Sequence, residues 1–290
     1  MGNRYQRLTA NIPWKSFGRK TIATQVKRSL LPVGILPFKP EPLAAGSTHF
    51  PVIEVNGANF EEVFEKYFMN IVGSAIQAGD GKLVTCAHVA EPLMGQESKG
   101  YVLSCIHRDG TSIYIPYRIQ EALRFVDPRT NQVNKKVDLA VLLCAAKSTR
   151  ELPYEALTAH WGDSTRLGIG DRILIGGYPH GRDMFRFMDS NQGIIQPTFY
   201  GGVISAILPA TEAGETRVLQ ISIPVAGGMS GGAVFDPRNG KILGMVFAGV
   251  DINIPTINHT SIRIPQPMTY ALPSEIIAPF VKVISFKRKS

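Results

Sequence analysis

From Asn70 onward the chain alternates between short apolar runs and turn-forming clusters. One set of runs comprises Ile71–Gln77, Leu83–Thr85, Tyr101–His107, Ser112–Ile119 and Val137–Cys144, punctuated by Gly79-Asp80-Gly81, Asp109-Gly110 and Asp127-Pro128. A second set comprises Arg172–Gly176, Gly202–Ile207, Val218–Ile223, Ala233–Phe235, Ile242–Ala248 and Met268–Leu272. Short runs bounded by Gly, Pro, Asp and Asn read as β-strands. Asp236-Pro237-Arg238-Asn239-Gly240 reads as a hairpin loop, and residues 146–168 as a polar linker. Ser274 is placed as a helix N-cap, with Glu275 in the first turn where the helix dipole favours an acid, and the helix runs to about Ile284. Phe60 to Phe68 carries a short helical pattern, whereas Pro32, Pro37, Pro40 and Pro42 break any regular element before residue 50.

Two strand clusters followed by a helix predict an all-β protein built from paired β-barrels. The expected organisation is an irregular basic extension over 1–50, a first barrel over 51–150, a second barrel and C-terminal helix over 151–285, and a basic tail over 286–290.

The net charge of +8 suggests nucleic-acid binding until the charges are located. Eight basic residues and no acid lie between Met1 and Pro40, and four more basic residues and no acid lie in the last ten. The intervening body is mildly acidic, so the basic character belongs to the two ends, where contact with an anionic surface is weakly expected. Three cysteines, with no paired spacing, give neither a disulfide framework nor zinc-ligand spacing, and no cofactor or metal is expected. The sequence contains no apolar stretch long enough to span a membrane and no secretory leader pattern, which favours a cytoplasmic protein. Organelle import through the basic N-terminus and unconventional export stay open.

Candidate chemistry sits at three places. Ser230 lies in Gly227-Gly228-Met229-Ser230-Gly231-Gly232. A serine hydroxyl needs a base to become nucleophilic and amides aimed at the developing oxyanion, and the flanking glycines permit the backbone angles this requires. Gly228 and Ser230 supply the natural oxyanion amides. His88 follows the apolar run Leu83–Ala87, where an imidazole at a strand end could act as general base. Asp138 opens the run Asp138–Leu143, where an unpaired carboxylate would be costly to bury and an imidazole N–H would satisfy it. The order His88, Asp138, Ser230 places two candidates in the first strand cluster and one in the second.

The segments Thr85-Cys86-Ala87-His88-Val89, Asp138-Leu139-Ala140-Val141-Leu142 and Gly228-Met229-Ser230-Gly231-Gly232 resemble the three triad motifs of trypsin-like serine proteases, most closely the HtrA/Deg branch. The resemblance covers about residues 68–285 and extends to Ile175-Gly176-Gly177-Tyr178-Pro179-His180-Gly181. It implies two six-stranded antiparallel β-barrels of the chymotrypsin type and a serine endopeptidase acting on polypeptides, with a specificity pocket lined by Pro224, Val225, Ala226, Gly227, Phe247, Ala248 and Gly249. Pro224 falls where trypsin-type enzymes hold an acid, so small or medium apolar side chains are expected there. Met229 replaces the usual Asp or Asn, so activation by N-terminal cleavage is not expected. Ala226-Gly227 replaces a common Asn-Pro, which leaves the resting shape of the oxyanion loop open. With few residues after the last strand, no PDZ domain is expected in this sequence, and a homo-oligomer is compatible with this reading.

Three other readings compete. Gly228-Met229-Ser230-Gly231-Gly232 satisfies the α/β-hydrolase elbow, with Asp251 and His259 following in that order, but the text after Ser230 reads strand, turn, strand rather than helix. A catalytically silent two-barrel domain would bind peptides or proteins without cutting them. A third reading gives function to the basic ends as a nucleic-acid or membrane anchor.

Overall fold

The computed structural model describes residues 26–27, 29–35, 53–55, 69–94, 100–108, 111–127, 130–144, 158–181, 196–209, 215–255 and 261–284. The helical pattern expected at Phe60–Phe68 lies outside them.

Strands β1 (Leu30–Ile35), β2 (Ile53–Val55), β3 (Asn70–Gly79), β4 (Lys82–Thr85), β5 (Gly100–Arg108), β6 (Thr111–Arg124) and β9 (Ala140–Cys144) form the first sheet. Pairing of β6 with β9 closes it in the order β1-β3-β4-β9-β6-β5, with β2 added along β6. The short strands β7 (Val126–Asp127) and β8 (Gln132–Val133) pair beside it. Strands β10 (Arg172–Gly177), β11 (Thr198–Leu208), β12 (Val218–Ile221), β13 (Ala233–Phe235), β14 (Ile242–Pro255) and β15 (Ser261–Pro273) close a second barrel in the order β10-β11-β12-β15-β14-β13. Every ladder in both barrels is antiparallel. The expected fold class is therefore the observed one.

Strand β1 corrects the reading of residues 1–50 as irregular throughout. Prolines suggested a break there, yet β1 is paired on both edges only from Val33 onward. Pro32 thus lies where a single ladder runs, a position that tolerates a missing N–H. At the Val33/Gly34 bulge a Cβ on Gly34 would sit 2.1 Å from the Asn70 carbonyl oxygen, so only glycine passes.

Apolar side chains fill both barrels, and Phe235, Met245 and Leu272 of the second belong to one continuous core with the first. Val33, Ile76, Leu83, Val102 and Leu142 are fully buried in the first, and Ile175, Ile204, Leu219, Ile221 and Val234 in the second. Helix α1 (Ala87–Leu93) leaves β4 through Cys86 and buries Ala87, Val89, Ala90 and Leu93 against the first barrel. Helix α2 (Ser274–Val283) ends the described chain. Ser274 is its first residue rather than its cap: Pro273 holds the cap position, and the Ser274 hydroxyl donates to the Gly162 carbonyl at 2.8 Å. Glu275 accepts from Arg217 Nε at 2.7 Å and Nη2 at 2.6 Å, and from the Ser164 hydroxyl at 3.0 Å. This network ties the helix to the second barrel. Among the described residues no helix is long and apolar enough to cross a membrane.

Candidate active site

His88 and Asp138, fifty residues apart in sequence, meet at one end of the first barrel. Asp138 Oδ2 is 2.5 Å from His88 Nδ1, and its Oδ1 accepts the His88 backbone N–H at 3.0 Å. His88 stands in the first turn of α1 rather than on a strand end, and Asp138 in the turn before β9 rather than within the strand. Both differences follow from this two-point clamp: a carboxylate that holds a helix N–H and the ring N–H together has to sit outside the ladder. The hydrogen bond with Asp138 is the main cause lifting the imidazole above its ordinary value, while its partial burial pulls the other way. With Nδ1 held by the carboxylate, Nε2 is the nitrogen left for proton transfer.

Cys86 lies beside the pair, with the donor atoms of Cys86, His88 and Asp138 all within 4.8 Å of one another. Metal ligation would need a thiolate. Burial, and then the Asp138 charge, push this thiol well up, and it donates instead to the Val246 carbonyl at 3.2 Å.

The Ser230 loop is anchored from both barrels. Gly231 N donates to Val246 O at 2.8 Å, Gly232 N to Met229 O at 2.8 Å and Met229 N to Ala226 O at 3.2 Å. The Gly228 and Ser230 amides, like that of Gly227, have no acceptor among the described residues. The Gly227 carbonyl accepts from His180 N at 2.6 Å. Because a trans peptide aims its C=O and N–H in opposite directions, the Gly228 N–H points away from the 178–181 loop. Gly228 has φ +91°, and a Cβ there would lie 2.3 Å from the Tyr178 carbonyl oxygen. Met229 is buried in the second barrel and lies against Gly177, an apolar anchor for the loop.

Sequence reasoning missed Ser74, which links these parts. It is fully buried on β3. Its hydroxyl donates to Gly228 O at 2.8 Å and accepts from Tyr178 N at 2.9 Å. Its backbone N–H donates to Ser230 O at 2.8 Å, and its carbonyl accepts the Thr85 hydroxyl at 2.7 Å. Tyr178 in turn donates its hydroxyl to Leu30 O on β1 at 3.1 Å. The available signal was a hydroxyl in the middle of an apolar strand, since a buried polar group needs partners.

The three triad candidates belong to contacting segments. A Cβ built on Gly73 would lie 2.7 Å from Val89, next to His88, and 3.1 Å from the Ser230 carbonyl oxygen. One built on Gly231 would lie 2.4 Å from the Thr85 hydroxyl. Of the residues expected to line a pocket, Val225 and Gly249 are adjacent, since a Cβ on Gly249 would meet Val225 at 2.9 Å. Phe247 stacks on Tyr270 with ring centroids 6.4 Å apart. Pro224 and Gly227 are exposed, while Ala226 and Ala248 are half-buried.

Comparisons with known proteins agree with this architecture. Residues 73–245 match the Trypsin-like peptidase domain. Serine protease Do-like HtrA of Bacillus subtilis (strain 168) is 30% identical over 131 residues, which is 44% of this chain and 25% of that protein. The match thus spans a quarter of that relative's length. Among solved structures, a substituted form of the HtrA-type protease AlgW with tripeptide superposes with a TM-score of 0.51 at 18% identity, covering 92% of this chain and 63% of that one, and shows the same fold. With two antiparallel barrels and a matched region that runs from β3 to β14, the chain belongs to the trypsin-like peptidase family.

Proposed function

We propose that the chain is a serine endopeptidase in which His88, Asp138 and Ser230 act as one catalytic unit. His88 Nε2 takes the proton of the Ser230 hydroxyl as Oγ attacks a peptide carbonyl carbon. The tetrahedral oxyanion is held by the Gly228 and Ser230 amides. As the C–N bond breaks, the imidazolium returns its proton to the leaving amine, and water repeats the sequence on the acyl-enzyme to release the acid. Asp138 keeps the proton of the neutral imidazole on Nδ1 and stabilises the cation.

The observation that carries this reading is the His88–Asp138 clamp set on a segment that contacts the Ser230 loop, whose Gly228 and Ser230 amides have no acceptor among the described residues. Preorganised donors at such positions are a large contribution in acyl transfer. A quenched fluorescent protein substrate tests the proposal. Wild type is expected to release fluorophore, and Ser230→Ala and His88→Ala to lose at least about a thousandfold in kcat while both remain folded, Ser230→Ala with the wild-type unfolding midpoint. Equal turnover by Ser230→Ala would contradict it.

A further inference from the structure

The residues that open β1 are seated against both barrels. Val26 is 1% exposed and belongs to the core that the barrels share. Its carbonyl accepts the Ser29 N–H at 2.9 Å and the Ser29 hydroxyl at 2.8 Å, and the Ser29 carbonyl accepts the Gln77 N–H of β3 at 2.8 Å. On the side of the second barrel, Lys27 Nζ donates to Gln196 Oε1 at 3.0 Å, just ahead of β11. A Cβ added to Gly176 of β10 would lie 2.7 Å from the Leu30 side chain.

From this seat one bond reaches toward the Ser230 loop. Tyr178 is buried, and its hydroxyl donates to the Leu30 carbonyl at 3.1 Å across 148 residues of sequence. A buried ring needs no hydroxyl to pack, so the phenol adds a directed tie to β1. The backbone of the same residue meets the loop. Its N–H shares the Ser74 hydroxyl with Gly228 O, and its carbonyl oxygen lies where a Gly228 Cβ would be, 2.3 Å away. Two residues on, His180 N–H holds Gly227 O at 2.6 Å. Gly227 C=O and Gly228 N–H belong to one peptide plane, so the grip on that carbonyl sets the direction of the Gly228 N–H. The gripping turn is itself under constraint. His180 and Gly181 have φ +57° and +54°, and a histidine stays in that left-handed region where its surroundings hold it there. At the Gly181 end the restraint is β3, since a Cβ there would lie 2.6 Å from Ile71 O. At the other end it is Tyr178.

We propose that Tyr178 is a positioning residue for the Gly228 amide and that it works from the seated turn opening β1, so that displacing the chain before β1 lowers catalysis without touching His88 or Asp138. The use of that amide as an oxyanion donor rests on the peptidase reading, whereas the brace does not. The path is contiguous: seated turn, Leu30 carbonyl, Tyr178, the grip of His180 on Gly227, and the peptide plane that carries the Gly228 N–H. The dependence runs opposite to activation by N-terminal cleavage, because losing the segment weakens catalysis.

Tyr178→Phe keeps the ring and removes the tie. Hydrogen–deuterium exchange, read by peptide mass spectrometry, is expected to quicken at residues 178–181 and 226–232 while residues 85–93, around His88, exchange as in wild type. On a quenched peptide, kcat is expected to fall about three- to tenfold, with KM and the midpoint of the pH profile unchanged. Val26→Asp puts a charge where no solvent reaches and should unseat the turn, giving the same pattern with a fall of about tenfold or more. Val26→Ala, a milder unseating, replaces it if that variant does not fold. Ser29→Ala should match wild type, because the Val26 carbonyl keeps the Ser29 N–H. Unchanged exchange at 178–181 and 226–232 in Tyr178→Phe would overturn the proposal. So would exchange quickened equally across both barrels, the mark of a purely structural role, or an unchanged kcat in an active protein. A folded Val26 variant with wild-type exchange in those two segments would overturn the dependence on the seated turn. If the exchange pattern appears and wild type cuts no peptide, the brace stands and the peptidase reading fails.

Discussion

Ser74→Ala removes one oxygen from a buried position and one tie between the Ser230 loop and the first barrel, the bond to Gly228 O, while the backbone bond from Ser74 N–H to Ser230 O remains. The lost hydroxyl leaves the Gly228 carbonyl and the Tyr178 N–H without the partners they have at 2.8 and 2.9 Å. Leaving a buried polar group unsatisfied costs about 1–3 kcal/mol, so the two together predict a loss of about 2–6 kcal/mol in unfolding free energy. A domain stable by roughly 10 kcal/mol, the middle of the usual range, remains folded under that loss. The catalytic consequence is separate. Gly228 keeps its amide but loses the restraint on its carbonyl, so the oxyanion donor is loosened rather than deleted. Deleting a donor costs about a hundredfold to a thousandfold in kcat, and loosening one is expected to cost about tenfold to a hundredfold with little change in KM. Ser29→Ala supplies the control: Ser29 is another buried serine, and its hydroxyl donates to Val26 O at 2.8 Å rather than to the Ser230 loop. Urea unfolding and steady-state kinetics on a quenched peptide would be measured for both. If Ser74→Ala, assayed fully folded, keeps a kcat within twofold of Ser29→Ala, the coupling through Ser74 is refuted.

Other consequences follow from single groups. Because Asp138 holds the His88 imidazole above the ordinary value of about 6.5, and the base must be neutral, kcat/KM should rise with pH through a midpoint above that value. Asp138→Asn should move the midpoint down; an unmoved midpoint would remove Asp138 as the cause. The same pair should stabilise the fold fully below the unfolded imidazole value and lose its contribution as pH rises through the raised one. Gly228→Ala should abolish turnover, since the new Cβ would need the space of the Tyr178 carbonyl at a φ of +91°; turnover above a tenth of wild type would show that the loop takes another path. Glu275→Gln weakens two charge-assisted bonds from Arg217 at a partly exposed site and should lower stability by about 1–2 kcal/mol without changing kcat, as thermal unfolding and kinetics can check.

The barrels were legible because their strands are short, rich in Val and Ile and bounded by turn residues, so periodicity and punctuation agree. The pairing of His88 with Asp138 was legible because an acid at the start of a strongly apolar run demands a partner. Strand β1 was not, because Pro32 and Gly34 read as breakers, and their tolerance depends on a one-sided ladder and a bulge visible only in three dimensions. Ser74 was hidden for a related reason: its value lies in partners 104 and 154 residues away. Ser274 illustrates the limit of capping rules, since its hydroxyl is taken by the Gly162 carbonyl in another part of the chain.

Reaction of the native protein with a fluorophosphonate probe, followed by peptide mass spectrometry, tests most directly whether the Ser230 hydroxyl is activated by His88. A single phosphonyl adduct on Ser230, lost in His88→Ala while the fold is retained, is the predicted result. Absence of an adduct on Ser230 in the folded wild-type protein, or labelling that His88→Ala leaves unchanged, would contradict the account.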